Sequence, residues 1–260
     1  MARTVGTYFV MPKWAKGLRP GRTYLDIYKL FDGEELAALP AGEVRRRVGR
    51  ALFFDAYRDQ EQYRVRYRRG DRVEGLENVL YMCPICGKEF TIRASGPHTL
   101  SCSACGFSET ADRYGFFHRT DASGDIRYVS DWSARILELR RARMGRDLPM
   151  DFPVSIQTVD PLRNKFRPSG EGRVLLTADR LILQGSCEGA PLPVEHPADS
   201  FPILPFSPGR YFEIQSGKEI YRCIPEDGRL VMKFIDSLKL LHEGSAVAVR
   251  SKAASEDHPA

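Results

Sequence analysis

Apolar residues recur along this chain with two different periods. Val44, Val48, Ala51 and Leu52 fall three and four apart, as do Trp132, Ile136 and Leu139, and again Val231, Phe234, Ile235 and Leu238. Each set lines one face of a helix. Asp32 and Glu35 have capping-box spacing, and Pro40 is placed to open a second helix, so helices are expected from about residue 32 to about Gln62. Another follows to about Arg143, and a last one begins after Pro225. Elsewhere the period is two. PVSIQTV, GRVLLTADRLILQG, FPILPF, RYFEIQSG and EIYRCI are short alternating or apolar segments punctuated by Pro, Gly, Asp and Asn, the pattern of an antiparallel sheet. TYLDIYKLF reads as a strand near the N-terminus, and YGFFHR with DIRYVSDW reads as a hairpin over Asp121 to Gly124. The expected fold class is α+β. It comprises an N-terminal strand and helical linker (1–72), a cysteine-bearing segment (73–120), a hairpin strand and connecting helix (121–150), a β-rich domain closed by a C-terminal helix (151–245) and a disordered tail (246–260).

The cysteine-bearing segment adds chemistry to this outline. Cys83, Cys86, Cys102 and Cys105 form two C-x2-C knuckles, each followed by a glycine, Gly87 or Gly106. Two such turns together present four thiolates in the tetrahedral, all-sulfur set that suits Zn2+, and a filled four-sulfur shell leaves no position for substrate. The predicted element is a zinc ribbon with one structural ion, its arms EFTIRA and HTLSCS turning around Ser95-Gly96-Pro97. A reduced core dithiol or redox pair is the alternative use of the same residues. Cys187 and Cys223 lie outside the pattern and read as small buried hydrophobes.

Charge narrows the field less. Thirty-nine Lys and Arg against 34 Asp and Glu give a net +5, enough to tolerate an anionic partner without requiring one. Ten arginines fall between Arg45 and Arg72 against four acids, as expected for a solvated amphipathic face or a phosphate-binding surface. No apolar run reaches the length of a membrane-spanning helix and the N-terminus lacks a signal-peptide core, which predicts a cytoplasmic protein.

The run DRVEGLENVLYMCPICG with SCSACG, flanked by DIYKLFDGEELAAL and DRYGFF, resembles the region that follows the catalytic domain in bacterial 1-acyl-sn-glycerol-3-phosphate (lysophospholipid) acyltransferases. VGTYFVMPKWAKGLRPGR is similar to the end of that catalytic domain. The resemblance implies a helical linker, a zinc-ribbon-like segment and a β-rich tail. That tail looks like a pleckstrin-homology or GRAM-type barrel. Family catalysis uses His-x4-Asp, but the residues five beyond His98, His118, His196 and His242 are Ser103, Ser123, Phe201 and Val247, and His258 lies too near the end. The implied role is a non-catalytic accessory or regulatory region, separately encoded or part of a longer reading frame. It would dock to the acyltransferase domain or to an anionic membrane surface, as a peripheral protein at the inner face. Residues 8–22 are the expected contact, with Tyr8, Phe9, Met11 and Trp14 as its apolar face and Lys13, Lys16, Arg19 and Arg22 as its charges. Read instead as an edge strand, the same segment buries Trp14 against the helices. A zinc-ribbon nucleic-acid-binding protein is the alternative function. An enzyme acting through some other site is a third.

Overall fold

The computed structural model describes residues 1–67, 72–118 and 126–256, with side chains to residue 245. Helices and antiparallel sheets are both present, so the fold is α+β. Strand β1 (Ala2–Val5) and the short helix α1 (Thr7–Val10) precede β2 (Tyr24–Ile27), which returns to pair antiparallel with β1. Helices α2 (Gly33–Ala38), α3 (Ala41–Leu52) and α4 (Ala56–Tyr63) follow. Asp32 and Asp55 cap α2 and α4 by accepting backbone N–H bonds from Glu35 and from Tyr57 and Arg58. A four-stranded meander then runs β3 (Ile92–Ala94), β4 (Thr99–Cys102), β5 (Ser108–Ala111) and β6 (Phe117–His118).

The expected hairpin turn at 121–124 lies outside the described residues. Its first arm is β6, which pairs with β5 and whose Phe117 N–H donates to Arg127 O at 2.9 Å, but among the described residues the second arm forms no strand. Asp131 accepts hydrogen bonds from the N–H groups of Arg127 and Tyr128 and starts helix α5 (Val129–Arg141) there instead. This local cap outcompetes the alternating pattern.

After α6 (Met144–Asp147) come seven strands: β7 (Met150–Asp160), β8 (Lys165–Leu176), β9 (Arg180–Cys187), β10 (Ala190–Pro197), β11 (Phe206–Ser207), β12 (Tyr211–Ser216) and β13 (Glu219–Pro225). They form one antiparallel sheet in the order β10-β9-β8-β7-β13-β12-β11. Along β7, Met150, Phe152, Val154, Ile156 and Thr158 point inward, the period of two expected of a sheet with one buried face. Helix α7 (Arg229–Glu256) lays Val231, Phe234, Ile235 and Leu238 into this core. The helix runs well into the segment expected to be a disordered tail. GSAVAVRSKAASE is alanine-rich and holds no proline, so nothing in it stops a helix that packing has already nucleated.

A second core gathers α1, α4, the four-stranded sheet and α5 around Phe9, Trp14, Tyr81, Phe116 and Trp132. Met232 on α7 belongs to this core, so α7 is packed by both units. Among the described residues, no helix is long and apolar enough to cross a membrane.

Candidate metal centre

The two knuckles have the same backbone geometry. Cys83 N–H donates to Lys88 O at 3.0 Å and Cys102 N–H donates to Phe107 O at 2.7 Å, while Gly87 and Gly106 N–H return to Cys83 O and Cys102 O, both at 3.0 Å. The glycines close the turns at φ of 66° and 74°, left-handed values that a side chain would strain. The β3–β4 hairpin brings the turns face to face, and the four sulfurs lie within 4.8 Å of one another. Cys83 and Cys105 are separated by 3.7 Å and Cys86 and Cys102 by 3.8 Å. A tetrahedron of metal–sulfur bonds of about 2.3 Å has edges of about 3.8 Å, so the donor set fits an ion such as zinc. Burial pushes the Cys83 thiol well up. Burial opposes ionisation of Cys102 too, but Thr91 Oγ1, 3.2 Å from its sulfur, and the backbone N–H groups of Ala104 and Cys105 outweigh it and bring Cys102 down to about 6. An ion here would displace protons chiefly from the thiols that burial holds neutral.

The first knuckle is held from outside the sheet. Trp132 Nε1 donates to Met82 O at 2.9 Å and Arg143 Nη1 to Gly87 O at 2.7 Å, both from the α5 region. Glu89, three residues after Cys86, accepts from Arg140 Nη1 at 3.2 Å and from Lys233 Nζ at 2.6 Å. Arg140 is 0% exposed; it also pairs with Asp147 at 2.6 Å and donates to Ser237 Oγ. Tyr81 donates to Asp236 Oδ2 at 3.0 Å, and Arg229 Nη1 to Phe90 O at 2.6 Å. Helices α5 and α7 therefore grip residues 81–90. The second knuckle is reached from α5 by packing, Phe107 lying edge-on to Trp132 with ring centroids 5.4 Å apart, and its Cys105 is exposed.

Sequence reasoning overlooked Tyr81, Glu89, Arg140, Lys233 and Asp236. A signal for one of them was available: Trp132, Ile136 and Arg140 are spaced by four, which puts Arg140 on the buried stripe of α5.

Burial raises the Asp236 carboxyl from 3.8 to about 6, opposed by the Tyr81 hydrogen bond and by the charges of Arg140 and Lys239. The folded value lies above the unfolded one, so the stabilisation is complete only below the unfolded value and is lost as pH rises through about 6. Asp236→Asn keeps the acceptor for Tyr81 and is expected to stabilise the protein by about 1–2 kcal/mol near pH 8. That gain should shrink by about 1 kcal/mol towards pH 5. Urea denaturation across this range measures it, and a gain independent of pH would contradict the assignment.

The expected contact surface at residues 8–22 is divided by the fold. Lys13, Lys16, Arg22 and Met11 are exposed, with Lys16 paired to Glu74 at 2.7 Å. Trp14, by contrast, is 5% exposed. Its Nε1 donates to Tyr8 Oη at 2.9 Å, and buried Arg19 stacks 4.5 Å from its ring. Phe9 is likewise buried, between Tyr57 and Tyr67. Trp14, Arg19 and Phe9 are thus core residues, because the returning chain closes over α4 and Gly75, whose φ of 94° lets it lie against the Trp14 carbonyl. Trp14→Ala is expected to cost about 3 kcal/mol, read as a fall in melting temperature; an unchanged melting temperature would restore Trp14 to the surface.

No family model matches the chain, and no curated protein matches it. Among solved structures, the Ran-binding domain of the nuclear complex component Nup2 from Ashbya gossypii is similar over 35% of this chain and 94% of that one, with 15% identity and a TM-score of 0.27.

Proposed function

We propose that the chain is a non-catalytic, zinc-stabilised docking region of a protein like the lysophospholipid acyltransferases, in which residues 82–106 form a zinc ribbon around one structural ion. The carrying observation is the closed set of four cysteine sulfurs, whose edge lengths suit a tetrahedral ion and leave no coordination position for a reacting group. Seven antiparallel strands packed by α7 support the pleckstrin-homology or GRAM-type reading of the β-rich part.

Docking is supported by an apolar face at the N-terminal end. Leu25 and Ile27 on β2, Leu36 on α2, and Leu52, Phe53 and Phe54 at the end of α3 are all exposed, Ile27 to 75% and Phe53 to 70%. Helix α3 buries none of its residues. A surface this apolar calls for a partner. The contact thus shifts from Trp14 to β2 and α3, a helix that also exposes Arg45, Arg46 and Arg50.

The experiment is binding in trans to an acyltransferase catalytic domain, with anionic vesicles as a second arm. Ile27→Asp and Phe53→Asp should weaken whichever interaction occurs without lowering the melting temperature. Retention of neither partner by the unaltered chain would overturn the reading. The chain alone should transfer no acyl group to a lysophosphatidate acceptor, because no histidine is followed by the aspartate that would orient it as a base. Turnover above a blank, abolished by one substitution in this chain, would contradict that.

A further inference from the structure

A cleft of about 670 Å3 opens between the start of β2 and the C-terminal end of α4. It has the size of a small-ligand site. Among the described residues that form it, the charged ones are Arg22, Arg64 and Arg66. Its aromatic wall is Tyr24 and Tyr63, whose ring centroids lie 4.9 Å apart with planes at 42°. Three features indicate that these groups are set in place. Tyr63 donates its hydroxyl to Asp26 Oδ2 at 2.8 Å, which fixes the ring. Arg64, the C-cap of α4 at φ 47°, is held by Glu61 at 3.1 Å and lies over the rings of Tyr114 and Phe116, so Arg22 and Arg66 are the cleft's guanidinium groups open to a ligand. Gly21 passes so close to Tyr67 that a Cβ there would lie 2.4 Å from its ring, so the cleft floor is shaped by a residue without a side chain. Arg22 and Arg66 are exposed and form no ion pair among the described residues.

Guanidinium groups beside exposed Tyr24, whose ring leans on Tyr63, match two halves of one ligand chemistry: phosphate for the arginines and a base for the tyrosine face. We propose that this cleft binds nucleotide phosphates, as a free nucleotide or as a segment of single-stranded nucleic acid. This site is separate from the metal centre and adjoins the docking face, since β2 supplies Tyr24 to the cleft and Leu25 and Ile27 to that face.

The test uses the full, zinc-loaded chain with three probes: ATP, a short fluorescein-labelled oligothymidylate and pyrophosphate. ATP or the oligonucleotide binds, and affinity falls as salt is raised. Binding of ATP alone identifies a free nucleotide as the source. Oligonucleotide binding that ATP competes away identifies a strand. The double variant Arg22→Ala/Arg66→Ala loses about tenfold or more for either probe, and Tyr24→Leu loses about fivefold or more by removal of the stack. Both sets of side chains are at the surface, so a melting temperature close to that of the unaltered chain accompanies the loss. Failure of all three probes, or binding unchanged in the arginine double variant, would overturn the site. Pyrophosphate binding as tightly as ATP, or insensitivity to Tyr24→Leu, would overturn the nucleotide assignment.

Discussion

Replacing Cys102 by serine is expected to abolish stoichiometric metal binding and to unfold the second knuckle together with strands β4 and β5. The sulfurs of Cys83, Cys86, Cys102 and Cys105 sit at contact distance and tie together short strands, β3 to β6 contributing two to four residues each, whose other support is the packing of Leu100, Phe107 and Phe117 in the second core. For zinc in such a site the apparent binding free energy is on the order of 10 kcal/mol, and in small metallo-domains binding is inseparable from folding. Loss is predicted to be uneven. Residues 81–90 keep their hydrogen bonds and ion pairs to Trp132, Arg140, Arg143, Lys233 and Arg229, whereas residues 100–111 have the sheet and the apolar packing of Phe107 on Trp132. Hydrogen exchange should therefore rise most in β4 and β5, less at Tyr81 to Phe90, and least in β7 to β10, whose core is separate. Equal loss of protection throughout the chain would mean that the two cores fold as one.

Arg140→Ala is expected to be the most damaging single change away from the cysteines, at about 4 kcal/mol. The side chain is fully buried and satisfies Glu89, Asp147 and Ser237 at once, so its removal leaves two carboxylates, each about a fifth exposed, without that cation. Lys233 still holds Glu89, but Asp147 keeps no comparable partner among the described residues. Arg140→Met should cost about 1–2 kcal/mol less than Arg140→Ala, since it refills the space. A double-mutant cycle with Glu89→Gln separates the charge from the packing: coupling of about 1 kcal/mol or more is predicted, and strict additivity would show that the pair contributes nothing beyond its volume.

Local chemistry was the part of this molecule most open to reading. Cysteine spacing predicts that four thiols converge, and Ser95-Gly96-Pro97 predicts the turn that brings them together, because both depend on residues within a few positions of one another. The periods of two along β7 and of three and four along α7 were legible for the same reason. Long-range pairings were not. β1 meets β2 across an interval of some twenty residues that itself folds over α4, and this return is what buries Trp14 in a segment whose composition resembles a contact surface. Arg140 illustrates a second limit: arginine is normally a surface residue, and only the partners Glu89, Asp147 and Ser237, remote or modest in sequence, make its burial tolerable. The exposed face of β2 and α3 shows the reverse case, since amphipathic spacing predicts that Val44, Val48, Ala51 and Leu52 are covered and the fold leaves Leu52, Phe53 and Phe54 open.

One structural ion held by Cys83, Cys86, Cys102 and Cys105 is tested most directly by elemental analysis of the purified, reduced protein. The predicted result is one zinc per chain, retained through dialysis and released together with the loss of β4 and β5 protection when a strong chelator is added. A content well below one zinc per chain, or removal of the metal with no change in that protection, would contradict it.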